Sequence, residues 1–212
     1  MVFLNAPAFL ETAFTPGFAQ KDADGDLLQF SMVDIGRLNI KDGRLYACDP
    51  LALYLEEAFD IEFPKGQYPV QLAVATINND DERVALARIK FTDTKPVKWT
   101  YALTEGQDVK DLEADEIFGY DIESGTGAFM DSSGYVEYDS LYKEDINLST
   151  ISREMRKNYK DTRSWLMWEG KNSNVAIFSS GYGEGLYATY IGFDDYGSIC
   201  RLVTDFGLLD WK

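Results

Sequence analysis

The sequence predicts an α+β fold built mostly of antiparallel sheet, folded as a sandwich or a strongly bent sheet, with one or two helices. Three observations carry that expectation. Short runs of β-branched and aromatic residues recur along most of the chain, bounded by Gly, Asp and Asn turns. Apolar residues at helical spacing are concentrated in Asp139 to Lys160. The 13 Tyr, 13 Phe and 4 Trp supply bulky side chains of the kind that fill strand-built cores.

Taken in order, residues 1–26 read as an irregular arm, broken by Pro7, Pro16 and Gly17. Its end, Lys21 to Asp26, superficially resembles a calcium loop. Counted from Asp22, however, the sixth and twelfth positions are Leu27 and Val33, where such a loop needs Gly and Glu. A tight polar turn is expected instead. From Leu27 the pattern becomes strand-like, and Ile35–Ile40, Asp42-Gly43 and Arg44–Cys48 read as a hairpin. Asp49-Pro50 stops the second strand, and Leu51 to Phe59 reads as a short helix. After the connector Phe63 to Pro69, a second hairpin runs from Val70 to Ile77, turns at Asn78–Asp81, and returns from Val84 to Phe91.

Lys95 to Leu103 reads as a further strand. Phe118 to Asp131 reads as strand, glycine turn, strand. The main helix is expected over Asp139 to Lys160, where Leu141, Ile146, Leu148, Ile151 and Met155 share a loose helical spacing, or alternatively a new helix begins at Ser149 to Glu154. Trp165–Trp168 leads into the polar turn Gly170–Asn174. A closing meander is expected over 175–180, 186–193 and 198–205. With no internal repeat and no low-complexity linker, a single domain over residues 1–212 is expected.

Composition excludes more than it names. The chain has no histidine, so Ser-His-Asp and Cys-His chemistry and His-held zinc or haem are excluded. The two cysteines, Cys48 and Cys200, lie far apart in apolar runs and suit buried thiols of a cytoplasmic protein. Residues 1–14 are apolar, but Lys21 is the first cationic side chain, so no secretory signal is expected. No apolar run approaches membrane-spanning length. The formal charge of −16 repels nucleic acid and attracts a basic protein partner. That charge is concentrated. Between Glu105 and Asp145 there are thirteen carboxylates against Lys110 and Lys143, so eleven of the sixteen net negative charges lie there.

Two glycine-and-acid turns stand out. Ser180-Gly-Tyr-Gly-Glu-Gly185 places Gly181, Gly183 and Glu184 between apolar runs. Asp121-Ile-Glu-Ser-Gly-Thr-Gly127 places Asp121, Glu123, Gly125 and Thr126 in the same setting, followed by Asp131. Such turns expose backbone amides and carboxylates, but they equally make plain hairpins. Gly125-Thr126-Gly127 lacks the Lys-Ser/Thr ending of a phosphate loop. Asp49, Asp121, Glu123, Asp131, Glu184 and Asp205 all lie at strand ends or turns. If several met, they would suit Mg²⁺ or Ca²⁺ or a carboxylate pair; singly, such acids more often form turns.

Several segments together resemble a bacterial family known as domain of unknown function 4241. They are Gly36–Ile40, Gly43–Pro50, Pro64–Val70, Val84–Ile89, Asp121–Asp131, Ser180–Tyr187 and Val203–Phe206. Where the family pattern favours Asp-x-Gly and Gly-Trp-Gly-Asp-Gly, this chain has Glu123-Ser124-Gly125 and Gly181-Tyr-Gly-Glu-Gly185. The resemblance implies a shared fold and supplies no activity or catalytic residue.

Two functions are therefore expected in competition. The first is a non-enzymatic, acidic, immunity-type binding protein that engages a basic partner through Asp111, Glu113, Asp115 and Glu116. The glycine-acid residues 121, 123, 125, 126, 131, 181, 183 and 184 would form its second binding region. The alternative is a Mg²⁺- or Ca²⁺-dependent hydrolase using Asp121, Glu123, Asp131 and Glu184. No motif calls for an organic cofactor.

Overall fold

The computed structural model describes residues 2–54, 56–77, 81–113, 116–143, 148–160 and 162–211. Its first elements are α1 (Phe9–Thr12), β1 (Ala19–Lys21), β2 (Leu27–Ile40), β3 (Leu45–Cys48), β4 (Gly66–Ile77), β5 (Asp81–Lys90) and β6 (Lys98–Tyr101). Then come β7 (Tyr120–Ile122), β8 (Thr126–Asp131), α2 (Ser132–Lys143) and α3 (Leu148–Met155). The chain ends in β9 (Trp165–Glu169), β10 (Asn174–Ser179), β11 (Gly185–Phe193) and β12 (Ile199–Asp205). The fold is α+β, with strands paired antiparallel in two sheets.

The larger sheet runs β1-β2-β4-β5-β12-β11-β6, with β7 pairing the other end of β11. The smaller runs β3-β8-β10-β9. Side-chain alternation explains why they stack. On the smaller sheet, Phe129, Ala176 and Phe178 join the core shared with the larger sheet. Their neighbours Ala128, Met130, Val175 and Ile177 point the other way and meet Tyr138, Ile151 and Met155 of the helices. The smaller sheet is thus buried on both faces, a middle layer between sheet and helices. Among the described residues, no helix is long and apolar enough to cross a membrane.

Several local expectations change. The arm expected as irregular holds α1, whose Phe9 and Leu10 are buried, and β1, which pairs with β2. The turn at Lys21–Asp26 is as expected: Asp22 accepts the Asp26 N–H on its carboxylate at 2.9 Å. Asp42-Gly43 does not close a hairpin, because β2 pairs with β4 and β3 pairs with β8. The dipeptide is a corner between sheets, held by the carboxylate of Asp131, which accepts the N–H groups of Asp42 (3.2 Å) and Gly43 (3.1 Å). A local turn signal sets the bend; partner choice is set by burial along the long β2–β4 ladder.

Among its described residues, the expected helix at Leu51–Phe59 is absent. The Asp49 side chain accepts the Leu51 N–H at 2.8 Å, which turns the chain away from helix, and Phe59 instead bridges Thr104. Helix α2 begins at Ser132, earlier than the expected Asp139. Ser132, Ser133 and Gly134 are poor helix formers, but Asp131 accepts the Ser133 hydroxyl at 2.9 Å and its N–H at 3.4 Å, which caps the start. The second hairpin is β4–β5, with its turn residues 78–80 outside the described residues. In the expected closing meander only β11 and β12 pair with each other; β10 belongs to the other sheet.

Candidate functional site

Both glycine-acid turns are places where the chain crosses between sheets. From β7 to β8 it leaves the larger sheet for the smaller, and from β10 to β11 it returns. Strands β8 and β10 pair antiparallel with Thr126 opposite Ser179, so the two crossings lie side by side. The Ser180 N–H donates to the Gly125 carbonyl at 3.1 Å. A Cβ built on Gly125 would sit 3.5 Å from the Gly183 Cα. The ladder Gly185–Ile122, Leu186–Asp121 carries Glu184 toward the end where Glu123 stands. Asp121, Glu123, Gly125, Thr126, Gly181, Gly183 and Glu184 therefore gather in one corner, with Thr126 and Gly181 buried and the three acids exposed.

Asp131 does not join them. It lies at the far end of β8, roughly 17 Å from Thr126 at about 3.4 Å per residue, and its carboxylate is spent on the Asp42-Gly43 corner and Ser133. Asp205 is likewise structural, accepting the Gly207 N–H at 3.0 Å and the Trp211 indole N–H at 2.8 Å. Among the described residues, no three side chains of the metal-ligating type are grouped to hold an ion.

Asp49 organises the corner from beneath. It is 2% exposed and accepts three hydrogen bonds from the β7–β8 crossing: the N–H groups of Glu123 (2.9 Å) and Ser124 (2.7 Å) and the Ser124 hydroxyl (2.7 Å). Beside it opens a cleft of about 310 Å³. Its walls include Asp121 and Glu123 from the crossing, Tyr54, Glu56 and Glu57 from the loop after β3, and Gln107 from the loop after β6. The Tyr54 hydroxyl donates to Glu123 at 3.3 Å, closing the loop over the cleft. Burial pushes the Glu56 carboxyl above its ordinary value of 4.5, and the negative charges of Asp49 and Asp121 add to the shift; the Tyr54 N–H opposes it. A second groove of about 760 Å³ shares Glu56, Glu57 and Phe59 with the cleft and adds Asp60, Glu62 and Glu105. The groove also carries Arg44 and Lys65, the latter paired with Glu62 at 3.2 Å, so acids outnumber cations along the trough that the two share at Glu56, Glu57 and Phe59. Its chemistry suits ammonium or guanidinium groups, which carboxylates bind through charge-assisted hydrogen bonds.

Glu56, Glu57 and Tyr54 escaped the sequence reading because Leu51–Phe59 was expected to be helical, and Gln107 because it lies in the loop after β6, where no motif marks it. The available signal was an acid doublet, Glu56-Glu57, stranded in an otherwise apolar stretch. Of the expected partner surface, Asp111, Glu113 and Glu116 face solvent on the loop after β6 and do not line the cleft. Asp111 ends a single 3-10 turn, Val109–Asp111, capped by the Asp108 carboxylate on the Lys110 N–H at 3.1 Å. Asp115 lies outside the described residues.

No curated protein and no solved structure matches the chain. Residues 38–204 span β2 to β12, including both crossings, Asp49 and the loop that carries Glu56. Those same residues match the family described as protein of unknown function (DUF4241), and the chain belongs to that family.

Proposed function

We propose that this protein is a non-enzymatic binding module that captures a basic segment of a protein partner in the acid-lined trough. The observation that carries the reading is the gathering of Glu56, Asp121 and Glu123 on one cleft, in a chain of net charge −16. A field of that sign steers basic partners and repels sugar-phosphate backbones. The exposed acids Asp111, Glu113 and Glu116, on the loop after β6, add to the negative field. The cysteines Cys48 and Cys200, both buried and unpaired, suit a reducing, cytoplasmic setting. A basic toxin, with this protein as its antagonist, is one partner class with this chemistry.

The test is the binding of a lysine-rich peptide across ionic strength, measured for the protein and for the Glu56→Gln/Asp121→Asn/Glu123→Gln variant. Affinity should fall steeply with salt, and the triple variant should bind at least tenfold more weakly. Binding indifferent to salt and to all three substitutions would sink the reading.

A further inference from the structure

Next to the acidic cleft lies a cavity of about 360 Å³ with a different character. Its wall is apolar at Ile61, Leu103, Val109 and Ile191 and charged at Asp60, Asp108 and Lys110, and it shares Thr104 and Gln107 with the cleft. The two cavities stand on successive rungs of one sheet face. Thr189 of β11 underlies the acidic cleft, and Ile191, two residues along the same strand, underlies the apolar cavity. Two residues of strand advance roughly 7 Å, which is also the spacing of alternate side chains on an extended peptide. Between the rungs, Tyr101 turns its main-chain N–H and C=O away from β11, since Ala102 donates to Thr189 and alternate residues face opposite ways. Val2, whose carbonyl accepts the Thr100 hydroxyl at 2.9 Å, borders that outward edge between the Leu4–Trp99 bridge and the hydrogen bond from Asp60 to Leu103.

We infer that the apolar cavity receives an apolar side chain two residues from the basic residue held in the acidic cleft, so that the partner's motif is basic–any–apolar in an extended segment. This rests on the reading of the trough as a site for basic peptides. A peptide is chosen over a second copy of this chain because copies of charge −16 repel one another, most of all at an acid-lined surface.

The experiment compares short capped peptides by fluorescence anisotropy: Lys-Gly-Leu, Lys-Gly-Ser, Lys-Leu and Lys-Gly-Gly-Leu, each flanked by glycines. The Lys-Gly-Leu peptide should bind about tenfold more tightly than Lys-Gly-Ser, the worth of one well-buried leucine, and more tightly than the other two spacings. Val109→Trp, at a half-buried position, should erase the preference for leucine over serine by filling the cavity. Val109→Ser should weaken the preference without blocking entry. If Lys-Gly-Leu and Lys-Gly-Ser bind equally, this inference falls and the basic-peptide reading stands. If none of the lysine peptides binds, both fall. A concentration-dependent dimer abolished by Val109→Trp would overturn it in favour of a second copy.

Discussion

Asp49 and Ser124 stand 75 positions apart, yet the aspartate takes both the backbone N–H and the hydroxyl of the serine at 2.7 Å. This contact ties the end of β3, in the smaller sheet, to the crossing that links the two sheets. Because Asp49 is 2% exposed, water cannot replace it as the acceptor. Asp49→Ala leaves three amide donors, those of Leu51, Glu123 and Ser124, and one hydroxyl without their charged partner. A loss of about 3 kcal/mol is expected, read as a lower denaturant midpoint at unchanged slope. Faster hydrogen exchange at Glu123 and Ser124 would localise the damage to the crossing.

The two crossings also predict a contrast between neighbouring glycines. Gly181 has φ +40° and is buried; a Cβ there would lie 2.8 Å from the Phe206 carbonyl oxygen and 2.9 Å from its Cβ. Gly183 has φ +117° with nothing within 4 Å of such a Cβ. Gly183→Ala therefore carries backbone strain alone, about 1–2 kcal/mol. Gly181→Ala adds a backbone clash in a packed interior and should cost at least about 3 kcal/mol. Thermal unfolding of the two variants side by side reads the difference; equal losses would show that the crossing relaxes freely around Phe206.

These positions show what was legible in the chain. The β4–β5 hairpin, the turn at Asp22 and the strand character of β8, β10, β11 and β12 follow from alternation and turn residues, which act locally. Pairing across the chain does not. Asp42-Gly43 carries a strong hairpin signal, but the signal says only that the chain bends there, and the bend leads to the other sheet. Asp131 and Glu123 looked alike in sequence, each an acid beside a glycine-rich run. They differ because one end of β8 meets the Asp42-Gly43 corner and the other meets the β10–β11 crossing. Glu56 was hidden by the opposite error: an apolar stretch with helical character is held irregular by the Asp49 side chain on the Leu51 N–H. The convergence of the two glycine-acid turns was conceivable from sequence only on condition that β8 and β10 were neighbours, which the Thr126–Ser179 pairing supplies.

The N-terminal helix contributes one further electrostatic joint. Glu11 of α1 binds Arg201 through both carboxylate oxygens, at 2.9 Å and 2.8 Å, and Arg88 at 3.0 Å. The Arg201 side chain is 2% exposed and that of Arg88 is 8% exposed. Burial lowers the Arg88 pKa to about 10, with Glu11 opposing the shift and the like charge of Arg201 adding to it. Glu11→Gln leaves two buried guanidinium groups with no carboxylate between them. Breaking a buried ion pair in this way costs roughly 3–5 kcal/mol. The exposed pair Lys65–Glu62 provides the control, since Glu62→Gln should change stability by less than about 0.5 kcal/mol. Denaturant unfolding of both variants separates the two cases.

Glu56 makes binding and stability respond to pH in opposite directions. Its folded pKa lies above 4.5, raised first by burial and then by Asp49 and Asp121. A carboxyl whose folded value exceeds its unfolded value favours the folded state while protonated. That contribution is fully present below the unfolded value and is lost as pH rises through the folded value. The same ionisation adds a negative charge to the cleft and strengthens its hold on a cation. From pH 4.5 upward, wild-type protein should therefore gain affinity for a lysine peptide while giving up a part of its stability. Glu56→Gln should lose both of these dependences, with weaker binding at neutral pH and a flatter stability profile just above pH 4.5. Paired titrations of affinity and of unfolding midpoint, wild type against Glu56→Gln, isolate this one group from the other carboxylates. Superimposable profiles for the two proteins would show that Glu56 faces solvent like any surface acid and takes no part in the cleft.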